Sequence, residues 1–433
     1  MRRYSIIPAV LILVAATAVW LAAAAEPVRS QQPTFRSGTD LIAVDVQVVD
    51  RQGRPLARLD RTQFEVSIEG QPRPVVSVDM LRMVRGTSRS ARLAGLSVPG
   101  RGLEPEPPGR VFVLAVDVMS FRPTGLERLL QEARAFVDAL EPEDVVAIYP
   151  FPFEGVTTLT PDRSQVIFAL ERIVGTRDRF LADGGTYGLN PSDIVDLSTA
   201  SPAAPLDILR QSRVTDICAA ATDPEVCGRT VIAEARMLAQ MEDGDVSQRL
   251  ASFRALLSAL SRSPHRKTVV LLSAGMTSAD RPGGRPDIGV EFSTLVGQDA
   301  ARANATIYAL FADTARLRIG SAATATRPRA SDDRGRDVAL LSRPIERLVD
   351  PSGGAIFSIG QSARAAFDRI LAESSCVYLL GVEPRVEDRD GRPRALHVEI
   401  HGLPRGASVR ARSWVVVPRQ APLGPAPSNR SLS

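Results

Sequence analysis

The chain has 433 residues, of which 44% are hydrophobic and 24% charged, a balance that excludes a wholly disordered, collagen-like or multi-span membrane protein. The length suits two or three domains, each large enough to bury a core. The net charge of +4 falls to +2 without Arg2 and Arg3, and the acids are interspersed with the arginines, so nothing resembles the basic stripe of a nucleic-acid binder.

Residues 1–25 have the layout of a secretory leader. Arg2 and Arg3 form the charged start, Ile6 to Leu21 is almost wholly apolar, and Ala23-Ala24-Ala25 offers a small-residue cleavage site. The rival reading is a retained anchor, since the run approaches the ~20 residues that span a bilayer. Only in that case would the protein be membrane-bound, and either way the rest of the chain is expected outside the cytoplasm.

After a polar spacer (26–38), residues 39–84 read as a small β module. Leu41–Val49, Phe64–Ile68 and Val75–Val78 have strand composition, separated by the Asp50-Arg51-Gln52-Gly53 and Glu69-Gly70 turns. Residues 85–109, rich in Gly, Ser, Arg and Pro, mark a linker.

From Arg110 the pattern changes. Val111–Val116 is a continuous apolar run, as expected of a strand buried on both faces, and it ends at Asp117. Leu126, Leu129, Leu130, Ala133, Phe136, Val137 and Leu140 follow at helical spacing. Strands at 145–149, 268–273, 306–311 and 355–358 then alternate with helices near 163–174, 293–304, 337–349 and 362–374, with a long amphipathic stretch running to Leu260. The 110–375 region is therefore expected to be α/β, a doubly wound, mostly parallel sheet covered on both faces. Residues 176–228 interrupt the rhythm and read as a rim insertion, and 313–336 as a mobile loop.

Within that insertion Cys218 and Cys227 stand nine positions apart and, in an oxidising compartment, are expected to close a disulfide. Cys376 is left over in a strand-like apolar context, which suits a buried inert thiol. Past it the β pattern returns, with strands at 377–382, 395–400 and 409–417. Three strands at each end are marginal alone, and together (39–84 with 376–417) they are expected to build one accessory antiparallel β-sandwich. The Pro- and Ser-rich tail 418–433 is expected to be disordered.

Residues 110–375 resemble a von Willebrand factor A domain. The matching segments are Val113-Leu-Ala-Val-Asp117, Pro142-Glu-Asp-Val-Val-Ala-Ile-Tyr149, Lys267-Thr-Val-Val-Leu-Leu-Ser-Ala-Gly275 and Ala305-Thr-Ile-Tyr-Ala-Leu310. The flanks, with the Asp50 turn, Phe64-Glu65-Val66 and Tyr378-Leu-Leu-Gly381, are similar to the secreted VWFA-related proteins of Acidobacteria.

The resemblance implies a Mg²⁺ at the carboxyl ends of the strands, bound by Asp-x-Ser-x-Ser, a loop Thr and the Asp of a Ser-Asp-Gly. A hard dication wants several oxygens, with one position left open for a partner's carboxylate. Here Asp117-Val-Met-Ser-Phe121 keeps the first carboxylate but puts Met119 and Phe121 where the hydroxyls belong, with Ser120 one position off. Ser273-Ala274-Gly275 lacks the second carboxylate, leaving Thr186 and the neighbouring Asp183 to complete a degenerate metal site of Asp117, Ser120, Asp183 and Thr186. No cofactor is expected from so few matched ligands.

What the resemblance retains is a rim carrying Met119, Phe121, Met276 and the 176–228 loop, a drier contact surface for a protein or envelope-polymer partner. Gly-x-Ser-x-Gly, His-Glu-x-x-His, Walker and Cys-x-x-Cys motifs are missing. His265 reads as a solvated loop residue, and His397 and His401, four apart on or beside a strand, are expected about 13 Å apart at ~3.3 Å per residue, too far for one metal. The sequence thus points to a secreted or periplasmic, non-catalytic binding module. Its alternatives are a Mg²⁺-dependent adhesin with a rebuilt site and a hydrolase of envelope polymers.

Overall fold

The computed structural model describes residues 41–82, 109–152, 158–199, 212–277, 290–313, 331–360 and 362–419. The leader, the spacer and most of the linker and tail read from sequence lie outside them.

The α/β region is built on five strands: β5 (Val111–Asp117), β6 (Val145–Phe151), β7 (Lys267–Ser273), β8 (Ala305–Ala312) and β9 (Ile356–Ile359). They form one parallel sheet in the order β6-β5-β7-β8-β9. Successive side chains of a strand point to opposite faces, so Phe112, Leu114 and Val116 of β5 enter one core while Val113 and Ala115 enter the other. That is why the β5 run reads as continuously apolar.

Helices α1 (Glu127–Asp138), α2 (Arg163–Glu171) and α9 (Arg364–Ser374) cover the first face through Phe136, Leu170 and Phe367, among others. The second face is covered by α6 (Pro224–Leu260), α7 (Val290–Ala303) and α8 (Ser331–Val349), through Leu250, Phe253, Val296 and Ile345. The chain passes from β5 to β6 on one side and then crosses to β7 on the other. The strand order therefore reverses at β5/β7, where open α/β sheets have their crevice.

The described part of the insertion forms α3 (Arg179–Asp183), α4 (Pro191–Thr199) and α5 (Ser212–Cys218), and the 37-residue α6 follows α5. It has a satellite core of its own, in which Leu181, Leu197 and Val214 pack on Val231, Ala235 and Leu238 of α6. The Cys218–Cys227 disulfide is present and ties α5 to the first turn of α6.

The N-terminal strands β1 (Ile42–Val49), β2 (Phe64–Ile68), β3 (Gln71–Arg73) and β4 (Val75–Arg82) pair with the C-terminal β10 (Cys376–Val382), β11 (Pro393–Ile400), β12 (Ser408–Ala411) and β13 (Trp414–Val416). Two antiparallel sheets result, ordered β12-β1-β10-β4 and β13-β11-β2-β3, closing on a shared core of Val44, Val46, Phe64, Ile68, Tyr378, Leu380 and Leu396. Because β4 pairs with β10 from Arg82↔Cys376 onward, the α/β region is inserted between two neighbouring strands of one sheet.

Several expectations need correction. The stretch 409–417 is two strands in different sheets, parted where the Ser413 amide donates to the Pro351 carbonyl at 2.8 Å and Arg412 lies 3.2 Å from Asp45. Gln71–Arg73, between the strands expected at 64–68 and 75–78, is a further strand, and its Arg73 makes a buried bidentate pair with Asp388 at 2.7 and 2.8 Å. Residues 331–336, expected in a loop, begin α8, while 314–330 lie outside the described residues.

The sandwich is fastened to the α/β region by buried polar contacts. The Tyr308 hydroxyl donates to Gln47 Oε1 at 2.7 Å, Arg410 donates to the Gly354 carbonyl at 2.9 Å, and Arg410 Nε lies 3.0 Å from Glu373 Oε2.

Candidate functional site

The carboxyl ends of β5 and β7 meet at the strand-order reversal. Asp117 is the last residue of β5, and a tight 3₁₀ turn, Val118–Ser120, follows it. The Ser120 hydroxyl donates back to the Asp117 carbonyl at 2.7 Å and accepts the Ala274 amide at 2.9 Å, joining the two strand ends. The Ser273 hydroxyl donates to Asp117 Oδ2 at 2.7 Å and accepts the Gly275 amide at 3.0 Å. Gly275 has φ +101°, and a Cβ there would come within 2.7 Å of the Leu341 Cβ, so the turn requires glycine.

Facing this oxygen-rich corner is Arg249 of α6. Its Nε donates to Asp117 Oδ1 at 2.9 Å, and its Nη2 donates to both Asp117 Oδ2 and, at 2.7 Å, the Gly275 carbonyl. Both side chains are 0% exposed. Among the described residues Arg249 Nη1 has no hydrogen-bond partner. A carboxylate and a guanidinium matched fork to fork are the arrangement in which a buried charge pair is tolerated.

The inserted segment docks on the turn that follows β5. The amides of Thr176 and Arg177 donate to the carbonyls of Val118 and Phe121 at 2.8 and 2.9 Å. Arg122 donates to the Ala182 carbonyl and pairs with Asp183 at 2.7 Å. Gly175 lies so close that a Cβ would fall 2.3 Å from the Arg122 carbonyl oxygen. Behind this layer Arg177 pairs with Glu242 of α6. One turn before Arg249, burial and then the Glu242 charge push the Asp245 carboxyl above its usual range.

The residues named from sequence are thus distributed. Asp117 and Ser120 share the corner. Asp183, 42% exposed and also 3.6 Å from Arg179, belongs to the outer layer, and Thr186 is exposed. Asp117 makes no side-chain capping bond to the turn that follows it. Of the three apolar rim residues, Phe121 (0% exposed) and Met276 (2%) are buried in the two opposite cores, and only Met119 has exposed surface. The dry contact face read from the sequence is reduced accordingly.

A divalent ion does not fit this donor set. The Asp117 carboxylate already holds the guanidinium on both oxygens and the Ser273 hydroxyl on one. Ser120 is spent on joining the strand ends. Among the described residues the one cluster of three acid, imidazole or thiol side chains with ligand atoms within 4.8 Å is Glu65, Glu399 and His401, all exposed on the sandwich. Its His401 Nε2 lies 3.1 Å from Glu65 Oε1. The third cysteine, Cys376, is buried, and burial pushes its thiol up.

Arg249 is the residue that sequence reading misses, and a signal for it exists. On α6 the buried positions Leu238, Glu242, Val246, Arg249, Phe253 and Leu256 follow one another at helical spacing. A cation in that seam requires a buried anion, and Asp117, ending an all-apolar strand, is the matching one.

No protein-family model matches this chain, and no curated protein is similar to it.

Proposed function

We propose that the chain is an extracytoplasmic, non-catalytic binding module of the von Willebrand factor A type, recognising a protein or envelope-polymer partner through the layer that covers the β5/β7 end of its sheet. The carrying observation is what occupies that end. Instead of an open crevice with reactive groups, it has a sealed Asp117–Arg249 pair under a segment built from the Thr176–Leu189 region, with Arg122, Asp183 and Thr186 toward solvent. Among the described residues Asp117 and Arg249 are out of reach of solvent and of a substrate, whereas a polar layer hydrogen-bonded to the strand ends suits recognition of another macromolecule.

Support for the compartment comes from the leader-like start of the sequence and from the Cys218–Cys227 disulfide. No helix among the described residues is long and apolar enough to cross a membrane. The engaged Asp117 oxygens weigh against the Mg²⁺-dependent alternative, and no observation favours the hydrolase.

The test is site-specific crosslinking in envelope extract, with a photoreactive residue at Thr186 and, as a control, at Val386, which is 82% exposed on the C-terminal part of the chain. A discrete adduct from Thr186 that Val386 does not give is expected. Equal labelling from both positions would sink the rim as the binding face.

A further inference from the structure

The cation that this type of rim would need is already part of the chain. We infer that Arg249 is the resident cation of the β5/β7 corner, a guanidinium standing where a divalent ion would otherwise be held. The inference rests on the reading of this end of the sheet as a binding rim.

Asp117 is a fully buried carboxylate, and a buried charge needs a counter-charge or a metal. The oxygens converging on Arg249 Nη2 and Nε are Asp117 Oδ1, Asp117 Oδ2 and the Gly275 carbonyl, with Ser273 Oγ a further 2.7 Å beyond Oδ2. Carboxylate, main-chain carbonyl and hydroxyl oxygens are hard-cation ligands. Here each is aimed at, or linked to, a nitrogen of one side chain.

A guanidinium differs from an ion in three respects. It cannot dissociate, it does not lose its charge in the physiological pH range, and it fixes α6 to the strand ends. Binding at this rim is therefore expected to be indifferent to chelators. The corner should also turn cation-dependent once Arg249 is shortened to an uncharged residue, because the buried carboxylate is then left open to water and ions.

The experiment compares wild type with Arg249→Ala, Arg249→Gln and the double variant Asp117→Asn/Arg249→Gln, in EDTA and in millimolar Mn²⁺ or Mg²⁺, by thermal melting and titration calorimetry. Wild type should show no heat and no shift in Tm between EDTA and metal. Arg249→Ala and Arg249→Gln should melt lower than wild type in EDTA and gain several degrees with Mn²⁺. The double variant, lacking the carboxylate, should gain nothing.

Should the single variants be insoluble without metal, refolding yield with and without Mn²⁺ becomes the readout. Recovery only with Mn²⁺ supports the inference. No recovery, while the double variant folds, overturns it. Single variants that fold but ignore both ions also overturn it, yet leave the binding rim itself standing. Asp117-dependent heat in wild type would remove the resident-cation inference, whereas the Thr186 crosslinking result bears on the rim alone.

Discussion

Replacing Arg249 by methionine asks how much the sealed corner contributes to stability. Methionine fills part of the volume but leaves the Asp117 carboxyl group fully buried without its counter-charge, with the 2.7 Å Ser273 hydroxyl as its remaining side-chain donor among the described residues. Losing one partner of a buried pair costs about 3–5 kcal/mol, because the other charge is left uncompensated. The Gly275 carbonyl also loses its 2.7 Å donor, and an orphaned buried acceptor costs about 1–3 kcal/mol. Part of the two costs overlaps where the site relaxes, so the expected loss is about 4–6 kcal/mol, a large share of the roughly 5–15 kcal/mol that stabilises a typical fold. The double variant Asp117→Asn/Arg249→Met removes both charges, and a neutral pair of similar shape should recover about 2–4 kcal/mol of that loss. Urea melts of the wild type, both single variants and the double variant close the cycle. If the double variant is as unstable as the two single effects added together, the residues are not coupled and the reasoning about the corner is wrong.

Lys267, the chain's only lysine, is buried, donates to the Ser263 and Ala303 carbonyls at 2.5 and 2.8 Å, and is lowered by burial from 10.5 to about 8. Between those two values the unfolded chain binds more protons than the folded one, so stability should rise with pH. Urea melts from pH 7 to pH 10.5 should show wild type gaining on Lys267→Met, and a flat difference would contradict the burial. Gly175→Ala would drive a methyl into the Arg122 and Phe121 carbonyls, 2.3 and 2.5 Å from the new Cβ. A loss of about 1–3 kcal/mol is expected, with faster amide exchange across 176–190, and unchanged exchange there would count against the docked layer. Reducing Cys218–Cys227, separated by 9 residues, should cost about 2–3 kcal/mol by the loop-entropy argument. Exchange should rise chiefly in α5, and protection that survives dithiothreitol would show that the satellite core needs no crosslink.

Much of the fold is legible in the sequence because its strands are of two kinds. Buried parallel strands such as Val111–Val116 have apolar side chains on both faces, whereas Phe64–Ile68 alternates, and the change of period alone separates the sheet from the sandwich. The 409–417 stretch is misread because an apolar and arginine-rich run carries no mark of where it changes sheets. That break is set by Asp45 and Pro351, which are distant in sequence. At the corner, Asp117 is legible as the end of an all-apolar strand, but its partner lies 132 positions away on α6. Local spacing cannot join the two. Only the rule that buried opposite charges seek each other connects a carboxylate after a strand with an arginine in an apolar helical seam. Phe121 and Met276 show the converse, since position at a loop says nothing of whether a side chain turns outward or into the core.

The pairing of Arg82 with Cys376 has a consequence for biogenesis. β1 lies between β10 and β12, so both of its hydrogen-bonding edges wait for strands made at the far end of the chain. At about 5–20 residues per second, translation of residues 83–375 takes roughly 15–60 s, during which the apolar face of Val44, Val46 and Val48 has no sheet to join. A nascent chain is thus most prone to aggregate at its beginning. The last forty residues that appear in the folded sandwich act as its closing clasp, and truncating them would leave the front of the protein, rather than the back, unable to fold.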